Sequence, residues 1–371
     1  MQINFVIPCL LGLEGLIAEE LRQLDAAEVM AENGRVLFKG DENLLARVNI
    51  CSRFAERVQI LVGSFHAESF EELFQGARAL PWEEWIGLRD AFPVKGYSLN
   101  SKLFSVSDCQ SILKKAVVER LKETYKIPWF EETGPIHQIQ FSIQKDEVSL
   151  LLDTSGAGLH KRGYRPQANA APIKETLAAA LCSISRLRPH HTLYDPMCGS
   201  GTILIEGALM AMHIAPGLHR NFSCDRWDQL DRGIWAREKE RARENEVRDC
   251  DFFAYGSDID PEAIRVAQIN AQQAGVADKI RFSVADVREF RGVTERGTVI
   301  CNPPYGERLL DNSEAVRLYG AMGKVFERRH GWSYTVISPS ETFEADFGRK
   351  ADKRRKLYNG MIKCQAYMYF K

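Results

Sequence analysis

The feature that most constrains the fold is a change in the order of apolar segments near residue 165. From there on, short apolar runs of strand type alternate with longer segments of helical spacing. Such alternation predicts a parallel sheet covered by helices, a doubly wound α/β fold. Strands are expected at Thr192–Tyr194, Phe252–Ser257, Ile280–Val284, Thr298–Cys301, Trp332–Ile337 and Gln365–Phe370, and helices at Ile173–Ser185, Thr202–Met212, Pro261–Ala274 and Ser313–Arg329.

The first 160 residues have a different, mixed pattern. Residues 1–65 read as strand, helix, strand, helix, strand, and residues 66–160 contain a long helix, Ser107–Tyr125, followed by a hairpin. With roughly 150 residues per domain, 371 residues suggest two or three domains. We therefore predict two α+β modules, 1–65 and 66–160, before an α/β domain at 165–371. An insertion at 213–251 interrupts this domain, and we interpret its Trp227 and Trp235 as packing anchors.

The overall charge argues against a protein that coats nucleic acid by bulk electrostatics. Lys and Arg number 49 against 50 Asp and Glu, a net charge of −1. Positive charge is concentrated in Phe92–Lys126 and, more strongly, in Gly348–Lys363. The nine cysteines include no CxxC pair, and no apolar stretch is suited to span a bilayer. We expect a cytoplasmic protein with reduced thiols and neither a metal site nor a membrane segment.

A glycine-rich turn, Asp195–Thr202, lies between a predicted strand and a predicted helix. Its glycines allow a sharp turn and a close approach to a ligand, and free amides at the helix N-terminus favour an anionic group. A dinucleotide site would need a third glycine at position 204, where Leu204 stands. The pattern indicates a nucleotide-like cofactor other than NAD.

Acidic residues follow the next two strands. Asp258 is our candidate for the two ribose hydroxyls, because Asp260 precedes Pro261 and is better placed to cap the following helix. Asp286 could accept an adenine amino group, with Ile259 and Val287 as apolar covers for the ring. Asp195, Asp258 and Asp286 each follow a strand of the predicted parallel sheet. Ligands bind at the carboxyl ends of such strands, so these three acids together indicate one site.

The segment Asn302-Pro303-Pro304-Tyr305 follows the fourth strand. Its prolines stiffen the loop, and the Asn302 side chain and the proline carbonyls offer hydrogen-bond acceptors. An exocyclic amino group on a nucleobase needs such acceptors, and Tyr305 offers a face on which a flipped base can stack.

In these motifs the chain resembles class I S-adenosylmethionine-dependent amino-methyltransferases, whose signature is Asn-Pro-Pro-Tyr. The resemblance implies a Rossmann-like methyltransferase domain with S-adenosylmethionine as cofactor. It implies catalytic roles for Asn302, Pro303, Pro304 and Tyr305, and cofactor binding by Asp195, Pro196, Cys198, Gly199, Gly201, Thr202, Asp258, Ile259, Asp286, Val287 and Asn302.

The run His160–Arg165 and the segment Ala171–Ala178 resemble the lead-in of THUMP-domain RNA methyltransferases. This implies ferredoxin-like and THUMP modules in front, and structured RNA as substrate, with guanine N2 of large-subunit ribosomal RNA favoured. Adenine-N6 methylation of DNA and a non-catalytic RNA-binding role remain open. Candidate RNA contacts are Lys114, Lys115, Arg162, Arg165, Arg354, Arg355 and Lys356.

Overall fold

The computed structural model describes residues 2–165, 173–185, 187–188, 190–304 and 312–370. The chain divides into two compact units. The first comprises Met1–Cys9, Ala18–Leu159 and Asn221–Glu240, and the second comprises Leu10–Ile17, His160–Arg220 and Arg241–Lys371. In the described part of the chain, no helix is long and apolar enough to cross a membrane.

The first unit is built on one seven-stranded sheet. Its elements are β1 (Ile3–Pro8), α1 (Glu14–Gln23), β2 (Ala27–Glu32), β3 (Arg35–Gly40), α2 (Glu42–Cys51), β4 (Gln59–His66), α3 (Phe70–Arg78), β5 (Val94–Leu99), α4 (Val106–Tyr125), β6 (Ile139–Gln144) and β7 (Glu147–Asp153). The strand order is β2-β3-β1-β4-β7-β6-β5. The two modules expected from the sequence therefore share a sheet, joined where Ile60 of β4 pairs with Leu152 of β7.

Strand β2 is absent from the sequence-based prediction. Its residues Ala27–Glu32 are almost all exposed, and β2 lies at the edge of the sheet. Because an exposed edge strand needs no alternation of apolar and polar residues, its sequence carries no period-2 signal. The expected hairpin between β6 and β7 is present, and Lys145 and Asp146 in its turn both have positive φ angles, 55° and 65°.

The middle of the insertion packs in the first unit, which differs from the predicted domain boundaries. The Trp227 side chain is fully buried and stacks on His137, with ring centroids 4.1 Å apart. Its indole Nε1 donates to the carbonyl of Ile136 at 3.1 Å. Trp235 is also buried and stacks on Phe222 at 5.1 Å. Both tryptophans are packing anchors, as predicted, and burial of such large apolar surfaces explains where this segment folds.

The second unit has the alternating strands and helices that the sequence predicts. Its elements are α5 (Glu175–Ile184), β8 (Thr192–Asp195), α6 (Thr202–Ala211), β9 (Ala254–Asp258), α8 (Pro261–Gln273), β10 (Ile280–Val284), β11 (Gly297–Cys301), α9 (Asn312–Val325), β12 (Trp332–Ser338), α10 (Phe343–Phe347), β13 (Lys353–Asn359) and β14 (Ile362–Tyr369), while α7 (Gly233–Glu244) spans the boundary between the two units. A core of aromatic side chains that includes Tyr194, Phe326, Trp332 and Phe343 lies against β11 and β12.

The strand order of the second sheet places a switch point beside β8. The order is β10-β9-β8-β11-β12-β14-β13, and β8 pairs in parallel with both β9 and β11. The chain thus moves outward from β8 in one direction and then returns to the other side of it. A crevice at the carboxyl ends of the strands, on either side of such a switch point, is where open α/β sheets bind ligands.

The basic segment near the C-terminus forms an edge strand that the sequence-based prediction missed. In β13, Arg354 and Lys356 are exposed on one face, whereas Leu357 on the other face is fully buried. Charged side chains on an edge strand prevent further strand pairing, so they also have a structural reason to be here. Because most residues of this segment are charged, its sequence lacks the alternation of apolar and polar residues that predicts a strand.

Candidate active site

The glycine turn after β8 is held in place by main-chain contacts to β9. The N–H of Cys198 donates to the carbonyl of Ser257 at 2.9 Å, and the N–H of Gly199 donates to Oδ2 of Asp258 at 2.9 Å. Gly199 and Gly201 have φ angles of 51° and 79°. Residues other than glycine rarely adopt this backbone conformation. A Cβ at Gly199 would meet nothing within 4 Å, so open space lies in front of the turn.

Asp195 ends β8 as a buried carboxyl group. Its relative exposure is 2 %, and its Oδ1 accepts a hydrogen bond from the N–H of Met197 at 3.2 Å. Burial, and to a smaller extent the charge of Asp258, raise the pKa of Asp195 well above its ordinary value. Pro196, Cys198 and Thr202 are buried in the same turn, and burial likewise raises the pKa of the Cys198 thiol.

Asp258 combines a fixed position with remaining acceptor capacity. Its Oδ2 binds the Gly199 amide, and its Oδ1 accepts from the N–H of Asp260 at 3.1 Å. Each carboxylate oxygen has two lone pairs, so one acceptor site on each oxygen remains. Asp260 caps α8 instead, because its Oδ1 accepts from the N–H of Glu262 at 2.9 Å. This is the division of roles expected from Pro261.

The adenine-side candidates differ in how accessible they are. Asp286 lies two residues beyond β10, accepts from the N–H of Arg288 at 2.8 Å and pairs with the Arg288 guanidinium at 3.0 Å. Ile259 is 67 % exposed and offers an apolar face, whereas Val287 is 4 % exposed and packs in the core. Val284, which the sequence-based prediction did not select, is 55 % exposed and is register-paired with Asp258, so it is the better placed second cover.

The end of β11 brings a polar side chain to the same sheet edge. Val299 of β11 pairs in parallel with Tyr194 of β8. Asn302 and Asp195 therefore both lie at the carboxyl edge of the sheet. Oδ1 of Asn302 is buried and, among the described residues, has no hydrogen-bond partner. Pro303 is buried and Pro304 half-buried. Tyr305 lies outside the described residues.

A buried network of hydrogen bonds and an ion pair supports the glycine turn, and the sequence analysis did not predict it. Arg165 donates to Oγ1 of Thr202 at 3.1 Å and to the carbonyl of Ile173 at 3.0 Å, and it pairs with Glu175 at 3.0 Å. Arg165, which we expected to contact RNA, therefore fixes the start of α6. Its side chain is only 11 % exposed.

Asn270 is a second supporting residue that the sequence analysis missed. Its Nδ2 donates to the carbonyl of Ser200 at 3.0 Å, and its relative exposure is 1 %. Asn270 shares the buried face of α8 with Ala263, Val266 and Ala267. A polar residue in an otherwise apolar helical face was the signal that could have identified it.

Two further residues expected to contact RNA are occupied inside the protein. Arg162 is 5 % exposed and lies 3.5 Å from the buried carboxylate of Glu206. Lys114 donates to Glu132 at 2.6 Å and to the carbonyl of Phe92 at 3.1 Å, and its ammonium lies 3.4 Å from the Phe92 ring centroid. Both cations are engaged by local acceptors, which argues against the expected RNA contacts.

The remaining RNA candidates are accessible to different degrees. Lys115, Arg354 and Lys356 are exposed. Arg355 is half-buried and donates to the carbonyl of Gly12 at 2.7 Å, so it differs from its two neighbours on β13. Across the described ranges, no group of three or more His, Cys, Asp or Glu residues is arranged to hold a metal ion, and all nine cysteines there are free thiols.

The fold and the site together define the class of protein. A doubly wound sheet, parallel from β10 to β12 with antiparallel β14 and β13 at one edge, carries a glycine turn at its switch point and an acidic residue at the end of the next strand. Together with the open crevice, it forms a Rossmann-like nucleotide-cofactor domain. Residues 162–368 match the family described as "RMKL-like, methyltransferase domain", and the chain belongs to this family. Residues 4–59 match the "RlmL ferredoxin-like domain" and residues 67–153 the "THUMP domain". The family and fold class expected from the sequence are confirmed.

Close relatives cover nearly the whole chain. A Bacillus subtilis (strain 168) protein described as "Putative RNA methyltransferase YpsC" is 42% identical over 362 residues, which are 97% of this chain and 94% of the relative. The crystal structure of a "predicted N6-adenine-specific DNA methylase" from Listeria monocytogenes str. 4b F2365 is 44% identical, with a TM-score of 0.94 and coverage of 100% and 96%. That of SMU.472, a methyltransferase by its description and complexed with SAH, is 40% identical, with a TM-score of 0.94 and coverage of 100% and 98%.

Proposed function

We propose that this protein transfers a methyl group from S-adenosylmethionine to an exocyclic amino nitrogen of a base in RNA, with guanine N2 of large-subunit ribosomal RNA as the target. The observation that carries the proposal is the Asn302 side chain. Its buried Oδ1, without a partner among the described residues, lies at the carboxyl edge next to the glycine turn. A buried acceptor without a donor is costly unless a ligand supplies one.

The residues of the crevice fit the proposed cofactor. The open space in front of Gly199 leaves room for a ligand against the turn. Asp258 keeps one acceptor site on each oxygen for the two ribose hydroxyls, and the exposed side chains of Ile259 and Val284 can cover an adenine ring. In a relative that is 40% identical over its whole length, the same fold is complexed with SAH, the demethylated form of this cofactor.

The chemistry requires orientation more than proton abstraction. When bound, the cofactor supplies an electrophilic sulfonium methyl group. Asn302 Oδ1 accepts an N–H of the base amino group, with the main-chain carbonyl of Pro303 as a second acceptor, so the nitrogen lone pair is turned toward that methyl group. The rigid Pro303-Pro304 pair holds both acceptors, and the surplus proton leaves to solvent after transfer.

The choice of RNA rests on the front of the chain. Residues 67–153 match the THUMP family, and the B. subtilis relative is described as an RNA methyltransferase. The description of the L. monocytogenes relative names DNA adenine N6 instead, so DNA is the alternative that an experiment must exclude.

The test is a transfer assay with labelled S-adenosylmethionine and ribosomal RNA from cells that lack the gene. We expect label in N2-methylguanosine with the wild-type protein and none with Asn302→Ala. Transfer to adenine N6 of DNA, or cofactor binding without transfer to any nucleic acid, would overturn the proposal.

A further inference from the structure

A cationic groove lies next to the candidate active site, between α9 and the short 3-10 turn Val287–Glu289 that follows Asp286. The groove has a volume of about 440 Å³ and is lined by Arg288, Arg317, Gly320, Ala321, Lys324 and Val325. Three of these six residues are cations and none is acidic. The groove lies entirely within the second unit.

The cations on α9 are available to an external ligand. Arg317 and Lys324 are exposed, and within the described ranges neither has an ion-pair partner. They are seven positions apart in the sequence, so both lie on one face of the helix about 10 Å apart along its axis, at 1.5 Å per residue. Gly320, which has no side chain, and the small Ala321 lie between them on this face. A polyanion that runs along the helix can therefore contact both charges.

Arg288 connects this groove to the active site. Its side chain is 63 % exposed and pairs with Asp286, the acid at the carboxyl edge that we assign to the adenine side. One end of the groove is thus within one side chain of the cofactor crevice. A chain that enters the crevice with one flipped base has neighbouring phosphates. A row of exposed cations beside the entrance is suited to bind them.

We propose that Arg288, Arg317 and Lys324 form a phosphate-binding track for the RNA strand that flanks the target nucleotide. This rests on the proposed function, because it assumes an RNA substrate at Asn302. It adds a binding surface on the catalytic domain itself, in addition to the THUMP region and to the basic residues of β13.

The experiment compares Arg317→Glu/Lys324→Glu with Arg188→Glu. Arg188 is an exposed arginine of the same unit that precedes β8 at the opposite, amino edge of the sheet, so it serves as the matched control. The probe is ribosomal RNA from cells that lack the gene, with binding measured at several salt concentrations. Arg317→Gln/Lys324→Gln provides a milder variant, and the melting temperature of each variant verifies its fold.

We expect the double Glu variant to raise the Kd for RNA at least 10-fold. The double Gln variant should lower the slope of log K against log salt by roughly 1.4, at about 0.7 per lost contact with single-stranded RNA. Arg188→Glu should change the Kd less than 2-fold, and SAH affinity should be unchanged in all three. A double variant that binds RNA like the control overturns the track, even if the wild-type protein methylates RNA.

Failure of the proposed function gives a different result. If the wild-type protein binds this RNA but transfers no methyl group to it, the proposed function fails, while loss of affinity in the double variant still supports the track. If the wild-type protein has no affinity for RNA, both proposals are overturned.

Discussion

The main-chain N–H of Gly199 donates a hydrogen bond to Oδ2 of Asp258, at a distance of 2.9 Å. This bond ties the turn after β8 to the end of β9, so the two elements that would hold opposite ends of a nucleotide cofactor are positioned by each other. The bond therefore fixes the position of the turn relative to Asp258 within the cofactor crevice.

Asp258→Ala should weaken cofactor binding more than Asp258→Asn. The alanine variant loses the acceptors for two main-chain amides, Gly199 and Asp260. The Gly199 amide is part-buried, and a buried amide left without an acceptor costs about 1–3 kcal/mol. The Asn side chain keeps one oxygen and so preserves part of the network. Calorimetric titration with SAH measures both variants, and equal affinities would show that the Gly199 bond does not shape the site.

Asn302→Ala should reduce the rate of methyl transfer about 100-fold or more while leaving SAH affinity within about 2-fold. The reason is loss of orientation of the amino group, since misplacement of a reacting group by about 1 Å can cost this much. Single-turnover rates and SAH titration test this. Unchanged turnover would remove Asn302 from the reaction.

The stability of the second unit should depend on pH through Asp195. Burial raises its pKa above the ordinary value of 3.8, so the folded protein holds this proton more tightly than the unfolded chain. The corresponding stabilisation is complete below pH 3.8 and is lost as the pH rises through the folded-state value. Asp195→Asn should therefore gain stability relative to the wild-type protein as the pH is raised from 4 to 7. Denaturant unfolding at several pH values measures this, and a constant difference would contradict it.

Substitution by Phe, which removes the indole N–H, should lower the free energy of unfolding by different amounts at the two buried tryptophans of the insertion. Trp227 donates to the carbonyl of Ile136, so Trp227→Phe should lose about 1 kcal/mol of hydrogen bonding in addition to the lost packing. Nε1 of Trp235 is buried and has no partner within the described ranges, so Trp235→Phe removes an unsatisfied donor and offsets part of its packing loss. The free energies of unfolding should rank Trp227→Phe as the less stable variant, and the reverse order would refute this assignment.

The basic edge strand should contribute to RNA binding through only one face. Arg354→Glu/Lys356→Glu changes two exposed residues and should weaken RNA binding and reduce its salt dependence. Arg355→Glu should instead reduce stability, because it removes the hydrogen bond to the Gly12 carbonyl. RNA titrations at several salt concentrations and melting curves separate the two effects. If Arg354→Glu/Lys356→Glu leaves the salt slope unaltered, the strand is not part of the RNA footprint.

The alternating strands and helices of the second unit could be predicted because their apolar periods agree with their final burial. Strand β11 shows this most clearly, since all of Gly297–Cys301 is buried between helical layers. The missed strands β2 and β13 are edge strands, where exposure or charge removes the apolar pattern. Pairing of β4 with β7 was also beyond reach, because it joins segments of the two predicted modules and depends on tertiary packing.

Site residues could be predicted from the sequence where a polar residue directly follows a predicted strand, because few roles fit such a residue there. Asp258 and Asn302 are examples. It was not predictable where the role depends on burial. Arg165 and Lys114 are basic residues whose sequence context suggested RNA, yet each is engaged by local acceptors. Asn270 supports the turn from a helix 70 residues away in sequence, a relationship that only the folded chain reveals.

The central claim is most directly tested by identifying the modified nucleoside in cells. Mass spectrometry of digested ribosomal RNA should find one N2-methylguanosine position that is present in wild-type cells, absent when the gene is deleted, and restored by the wild-type gene but not by Asn302→Ala. An unchanged set of N2-methylguanosines, together with loss of N6-methyladenine from DNA, would contradict the account.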